Sequence, residues 1–259
     1  MAIDPVAARS SLMVAFFTRI MTQALARDFH AVRVSGQLPE PPSGGPAVIY
    51  ANHPSWWDPA LFAVLTRRCF SGRRGYGPID VEALARYRFM SRIGLFGVQS
   101  AGSSGGARFL RTSLRILDDP RSLLWITPEG RFVDPRERPV RLRPGLAHLA
   151  RRSPSAIFVP MALEYVFWTE RQPEALCRFG EPVAAAAQPR LDLPGWSALL
   201  HERLTRTMNA LAEDAMTRDP ARFRVLLRGR SGIGGVYDLW RRARAAMRHE
   251  RFRPEHGQP

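Results

Sequence analysis

Lysine is missing from all 259 residues, so the 38 basic side chains are arginines, set against 23 acidic ones. Cysteine is nearly missing too. Cys69 and Cys177 stand far apart and outside any metal-ligand spacing. That excludes a disulfide scaffold, and both are read as core or free thiols of a reducing compartment. No run approaches the roughly 18 uninterrupted apolar residues that a membrane-spanning helix needs. The best candidate lies between Arg9 and Arg19 and holds only nine uncharged residues, Ser10 to Thr18. Asp4 occupies the place of a basic leader, and Arg19 interrupts the apolar stretch before Ala24-Leu25-Ala26. The segment is therefore read as retained, not as a secretory signal. Internal repeats and low-complexity tracts are lacking as well.

What is present is otherwise ordinary: 45% apolar, 24% charged and 10% aromatic residues. These fractions exclude wholesale disorder, and the length suits one large domain or two small ones. The formal charge of +15 is the outlier. A guanidinium forks onto two phosphate oxygens, so an anionic partner is indicated, either membrane lipid or nucleic acid. An arginine-rich codon habit is the plainer explanation for part of the excess.

Residues 10 to 29 read as a helix, with Met13, Phe16, Phe17, Ile20 and Ala24 forming an apolar stripe. Either it lies in a membrane interface or it packs on the core, and periodicity does not choose. Strand signals follow at Ala31 to Val34, Val48 to Ala51, Phe96 to Ser100, Leu123 to Thr127 and Ile157 to Leu163, with a further piece at Arg178 to Val183. Helical stretches alternate with them at Ala60 to Arg68, Val81 to Ile93, Ala107 to Leu117 and Gly145 to Arg152. This alternation predicts an α/β domain, a mainly parallel sheet flanked by helices. After Gln188 no strand pattern is evident. Pro194 to Thr217 reads as a helix, and Val236 to His249 as another with a dense arginine face, of the kind that lies on anionic lipid.

The most informative segment is Asn52-His53-Pro54-Ser55-Trp56-Trp57-Asp58, immediately after a strand. Open α/β sheets place ligands at such corners. Pro54 suits a first helical turn, which would put Asp58 about one turn in, folded back onto His53. One imidazole nitrogen would then donate to the carboxylate, leaving the other to take a proton from a hydroxyl. This is a triad without its serine, so the nucleophile would be the substrate's own alcohol. Pro128-Glu129-Gly130-Arg131 also ends an apolar strand, Val159-Pro160-Met161-Ala162-Leu163 is a third such strand, and Phe179 to Pro182 is a fourth marker. The alternative for Glu129 and Arg131 is a surface ion pair. Trp56 and Trp57 read either as an acyl channel and membrane anchors or as core. Gly102 to Gly106 lacks a lysine and Walker spacing, so it is read as a loop.

In this order the blocks resemble the lysophosphatidic acid acyltransferase family of glycerolipid acyltransferases, over roughly Val48 to Val183. The resemblance implies that His53 deprotonates the acceptor hydroxyl while Asp58 holds its tautomer. It also implies that Glu129 and Gly130, with Asn52 beside His53, belong to the substrate-binding surface, and that Arg131 takes a lipid phosphate. Two departures stand out. Arg131 follows Gly130 directly, where the family has a threonine first. The second block's isoleucine-aspartate-arginine run is replaced by Val98-Gln99-Ser100, so the phosphate-gripping arginine is missing and Gln99 and Ser100 become candidate acceptor contacts.

Three regions are expected: residues 1–30 as a membrane-associating amphipathic helix, 31–188 as the acyltransferase domain, and 189–259 as a basic helical extension. The implied reaction moves a fatty acyl group from acyl-CoA or acyl-carrier protein to a lysophospholipid such as 1-acylglycerol-3-phosphate. The alternative acceptor is a non-phosphorylated lipid alcohol: a glycolipid, aminolipid or carotenoid glycoside. The other class weighed, a basic nucleic-acid-binding protein, rests on charge alone, and no nucleic-acid partner is expected. No metal or bound cofactor is expected either. The implied place is peripheral, on the cytoplasmic face of the cell membrane, against anionic lipid.

Overall fold

Ala47-Val-Ile-Tyr-Ala51 is five apolar residues long, and all five are buried, so this strand (β2) has helices on both of its faces. A computed structural model describes residues 4–38, 44–99 and 103–231. β2 pairs in parallel with β5 (Ser122–Ile126) on one side and β6 (Ile157–Val166) on the other. Outward from β5 come β3 (Arg74–Asp80) and β4 (Leu95–Val98), both parallel. Outward from β6 come β7 (Glu174–Phe179), antiparallel to it, then β1 (Ala31–Ser35), parallel to β7. Short β8 (Val183–Ala184) pairs with the start of β6, and β9 (Phe223–Arg228) closes the sheet against β1. The mainly parallel α/β architecture expected from the sequence is the one observed.

Side chains alternate across a strand, and the core divides accordingly. Val48, Tyr50, Leu124, Ile126 and Phe158 face α6 (Gly145–Arg152) and α7 (Leu193–Met216), where Leu149, Trp196, Leu200 and Leu204 meet them. Ile49, Ala51, Trp125, Val159 and Met161 face the other layer. There they meet Leu25 of α2 (Ser11–Asp28) and Leu61, Val64 and Leu65 of α3 (Asp58–Cys69). The other α-helices among the described residues are α1 (Pro5–Ala8), α4 (Val81–Arg86) and α5 (Ser103–Leu117). The N-terminal helix packs on the core along one side only. Leu25 and Thr18 are buried on its inner side, and Met21 packs on the core, while Leu12, Phe16 and Ile20 stand outward with 80%, 59% and 40% of their surface exposed.

Several expectations are corrected. The strand foreseen at Arg178 to Val183 lies earlier, because the chain turns at Gly180, where a Cβ would run into the Thr207 side chain, and Pro182 has no N–H to pair. Gly102 to Gly106 is not a loop throughout: α5 starts at Ser103, and its first turn uses serine and glycine where backbone amides need no helical partner. β3 was not foreseen, because two glycines and a proline in Arg74-Gly-Tyr-Gly-Pro-Ile-Asp read as turn chemistry. Among the described residues, the C-terminal part is helical only in α7 and a short turn. α7 packs on β6 and β7, and β9 returns to the sheet, its Arg224 and Arg228 affordable because β9 is an edge strand. The arginine-rich helix expected at Val236 to His249 lies outside the described residues.

Candidate active site

The parallel strands β2, β3, β4, β5 and β6 all point their C-terminal ends to one edge of the sheet. His53 follows β2 there and Glu129 follows β5, so the two blocks separated by 76 residues meet. The His53 backbone is held from both sides. Its N–H donates to Glu129 Oε2 at 3.0 Å, and its carbonyl accepts from the Val133 N–H at 3.0 Å. Asn52 anchors the strand end beneath it. Its side-chain amide donates to the Leu163 carbonyl (3.0 Å) and accepts from the Leu163 N–H (2.8 Å), extending the β2–β6 pairing by one residue.

Helix α3 begins at Asp58, with Pro59 in its first turn, so Pro54 lies ahead of the Ser55–Asp58 turn and not in the helix. That turn places Asp58, wholly buried, with Oδ2 2.6 Å from His53 Nδ1. The Ser55 N–H also reaches Oδ2 at 3.4 Å, and the Tyr165 hydroxyl donates to Oδ1 at 2.7 Å. A carboxylate accepts only, so the proton between Asp58 and the ring belongs on Nδ1, and Nε2 presents a lone pair. The His53 side chain is 20% exposed, so the ring is not sealed in the core. The Phe132 ring lies 4.5 Å from the imidazole, centre to centre, with 57% of its surface exposed.

Burial pushes the Glu129 carboxyl up from its ordinary value, opposed by the hydrogen bond from His53 and by the charge of Arg131. Burial raises the Tyr165 phenol well above its usual range, and the neighbouring Asp58 charge adds to this. Burial likewise pushes Cys69 up to about 11 and raises Cys177 further, so neither is an activated thiolate; both are free. Among the described residues, no group of three or more His, Cys, Asp or Glu is gathered as a metal would need.

A family model described as Acyltransferase matches residues 31–164, just over half of the chain. The chain belongs to the acyltransferase family. Six chains among the solved structures also match, including the 1-acyl-sn-glycerophosphate (LPA) acyltransferase PlsC from Thermotoga maritima. That match has a TM-score of 0.55 at 15% identity and covers 77% of this chain and 79% of the other, a likeness of fold. No curated protein sequence matches significantly.

In this acyltransferase the expected site residues do not all fall together. His53, Asp58 and Glu129 are brought together. Gly130 is in the same turn, at φ +64°, a backbone conformation that favours glycine, with the Arg143 side chain where a Cβ would stand. Asn52, expected to contact substrate, is 1% exposed with both amide ends bound to Leu163, so it supports the site from below. Arg131, expected to take a phosphate, points to Glu137 at 3.2 Å in an exposed ion pair, the alternative weighed for it. Gln99 lies at the same sheet edge and is exposed, but its strand is third from β2. At about 4.8 Å per strand that is about 14 Å away. Ser100 lies outside the described residues. Tyr165 and Phe132 were not foreseen. The strand signal stopped at Leu163, and continuing its alternation by two residues would have placed Tyr165 on the α3 face.

Proposed function

We propose that the protein is an O-acyltransferase that moves a fatty acyl group from the thioester of acyl-CoA or acyl-carrier protein to the hydroxyl of a lysophospholipid. The observation that carries this reading is the Asp58–His53 pair, with Nδ1 committed to a buried carboxylate and Nε2 presented at the sheet edge. In the proposed reaction Nε2 takes the proton of the acceptor hydroxyl as its oxygen attacks the thioester carbon. The tetrahedral oxyanion collapses, the C–S bond breaks, and the imidazolium returns the proton to the leaving thiolate. Asp58 stabilises the imidazolium between these steps. Glu129 and Val133 fix the backbone from which the ring projects.

The outward row Leu12, Phe16 and Ile20, together with Trp56 at 71% exposure, supports peripheral attachment to lipid, with the arginine excess favouring an anionic surface. Among the described residues no helix is long and apolar enough to cross a membrane. A second reading, a non-phosphorylated lipid alcohol as acceptor, is favoured by one observation. Beside His53 stands the Phe132 ring, while Arg131 is turned to Glu137.

The test is His53→Ala assayed with acyl-CoA and acyl-carrier-protein donors. Loss of acceptor-dependent thiol release and of acylated product is expected, and wild-type turnover by the variant contradicts the mechanism. Lysophosphatidic acid offered beside neutral glycolipid acceptors decides between the two readings.

A further inference from the structure

Asp58 is wholly buried, and each of its two oxygens has its own principal partner. Oδ2 faces His53 Nδ1, and Oδ1 accepts from the Tyr165 hydroxyl, which comes from β6, two residues past the Leu163 that Asn52 clasps. Torsion about the carboxylate's Cβ–Cγ bond is soft, so a single hydrogen bond at Oδ2 would leave the plane free to swing. A second at Oδ1 removes that freedom. The Tyr165 ring is itself held. Phe29, at the end of α2, packs on it at 5.6 Å and on Trp57, the residue before Asp58, at 5.2 Å.

We propose that Tyr165 is a positioning residue for acyl transfer: its hydroxyl fixes the Asp58 carboxylate in the orientation that keeps the proton on His53 Nδ1, and it tempers the negative charge that His53 feels. The inference rests on the base role of His53 proposed above. Burial and the Asp58 charge keep the phenol protonated, so it donates across the working pH range. The titratable and charged groups around the pair are Asp58 on α3, Tyr165 on β6 with Cys177 of β7 behind it, and Glu129, Arg131 and Glu137 in and beyond the turn after β5. Of these, Tyr165 is the neutral donor to Asp58 itself.

Tyr165→Phe keeps the ring and deletes the donor. Asp58 then turns its full charge on the imidazole, favouring imidazolium, and its plane loosens. The expected result is a kcat lowered roughly 10- to 100-fold, as for a lost hydrogen bond to a charged group. The acid limb of the kcat–pH profile should move up by about one pH unit, a modest charge effect. KM should stay within about twofold, because the hydroxyl is turned to Asp58. A purely structural role would lower the melting temperature and leave the pH limb in place, which overturns the proposal. Should Tyr165→Phe not fold, fluorotyrosine at position 165 retains ring and hydroxyl but donates more strongly. It must then move the acid limb to lower pH, and an unmoved limb overturns the proposal. If His53→Ala is itself fully active, the underlying mechanism has failed. If His53→Ala is inactive while folded Tyr165→Phe matches wild type in kcat and profile, the role of Tyr165 alone has failed.

Discussion

Asp58→Asn is nearly isosteric and removes the one charge that faces the imidazole from a distance of 2.6 Å. In the proposed mechanism, the imidazolium formed during transfer would have its charge centre about 4 Å from the carboxylate's. At an effective dielectric of about 20 that attraction is worth about 4 kcal/mol. At about 1.4 kcal/mol per decade, kcat should fall about 10³-fold. The loss grows if the asparagine NH₂ turns to His53, because Nδ1 must then accept and the proton moves to Nε2, which removes the base. The fold should persist. Tyr165 Oη can accept from an amide as well as donate, and a buried charge has been removed. The assay is acceptor-dependent thiol release across pH, with a thermal melt as control. The acid limb should move to lower pH, opposite to Tyr165→Phe. A folded Asp58→Asn retaining kcat within about tenfold of wild type would refute the reasoning.

Three further outcomes are expected. Asn52→Ala strips both partners from the buried Leu163 backbone, and at about 1–3 kcal/mol for each unsatisfied group urea unfolding should show about 2–6 kcal/mol lost; a change below 1 kcal/mol would count against the clasp. Glu129 has its pKa raised by burial from an ordinary 4.5. A raised carboxyl contributes stability below the unfolded value that is lost as pH rises through the folded one. The melting-temperature advantage of wild type over Glu129→Gln should therefore shrink as pH climbs from below 4.5, and an advantage growing with pH would reverse the sign. Replacing Leu12, Phe16 and Ile20 together with serine should weaken sedimentation with anionic phospholipid vesicles at least tenfold, since each such side chain contributes about 1.5–3 kcal/mol when buried; unchanged sedimentation would remove the outward row from the membrane contact.

The parts of this molecule that were legible beforehand are those whose signal is local. The runs Ala47-Val-Ile-Tyr-Ala51 and Ser122-Leu-Leu-Trp-Ile126 are buried on both faces, so they announce central strands by composition. His53 and Asp58 are five residues apart across one turn, and that spacing suffices for contact. Glu129 was within reach because its strand neighbours β2 in a parallel sheet. What escaped depends on contacts distant in sequence. Arg74-Gly-Tyr-Gly-Pro-Ile-Asp becomes a strand only because β4 and β5 pair with it on either side. Asn52 looked like a substrate contact because nothing local shows that Leu163, 111 residues on, consumes its amide. Arg131 carries the charge a phosphate needs, and its pairing with Glu137, six residues away, had no signal in the motif. Tyr165 has no motif at all, and its meaning comes only from Asp58, 107 residues earlier.

The central claim is a tautomer: His53 with its proton on Nδ1, toward Asp58, and Nε2 bare. Nitrogen-15 NMR of the histidine rings in the resting enzyme at neutral pH reads it directly, with His53→Gln used to assign the signal among six histidines. Expected are a protonated Nδ1 in a strong hydrogen bond and an unprotonated Nε2. A His53 ring carrying its proton on Nε2, with Nδ1 bare beside Asp58, would contradict it.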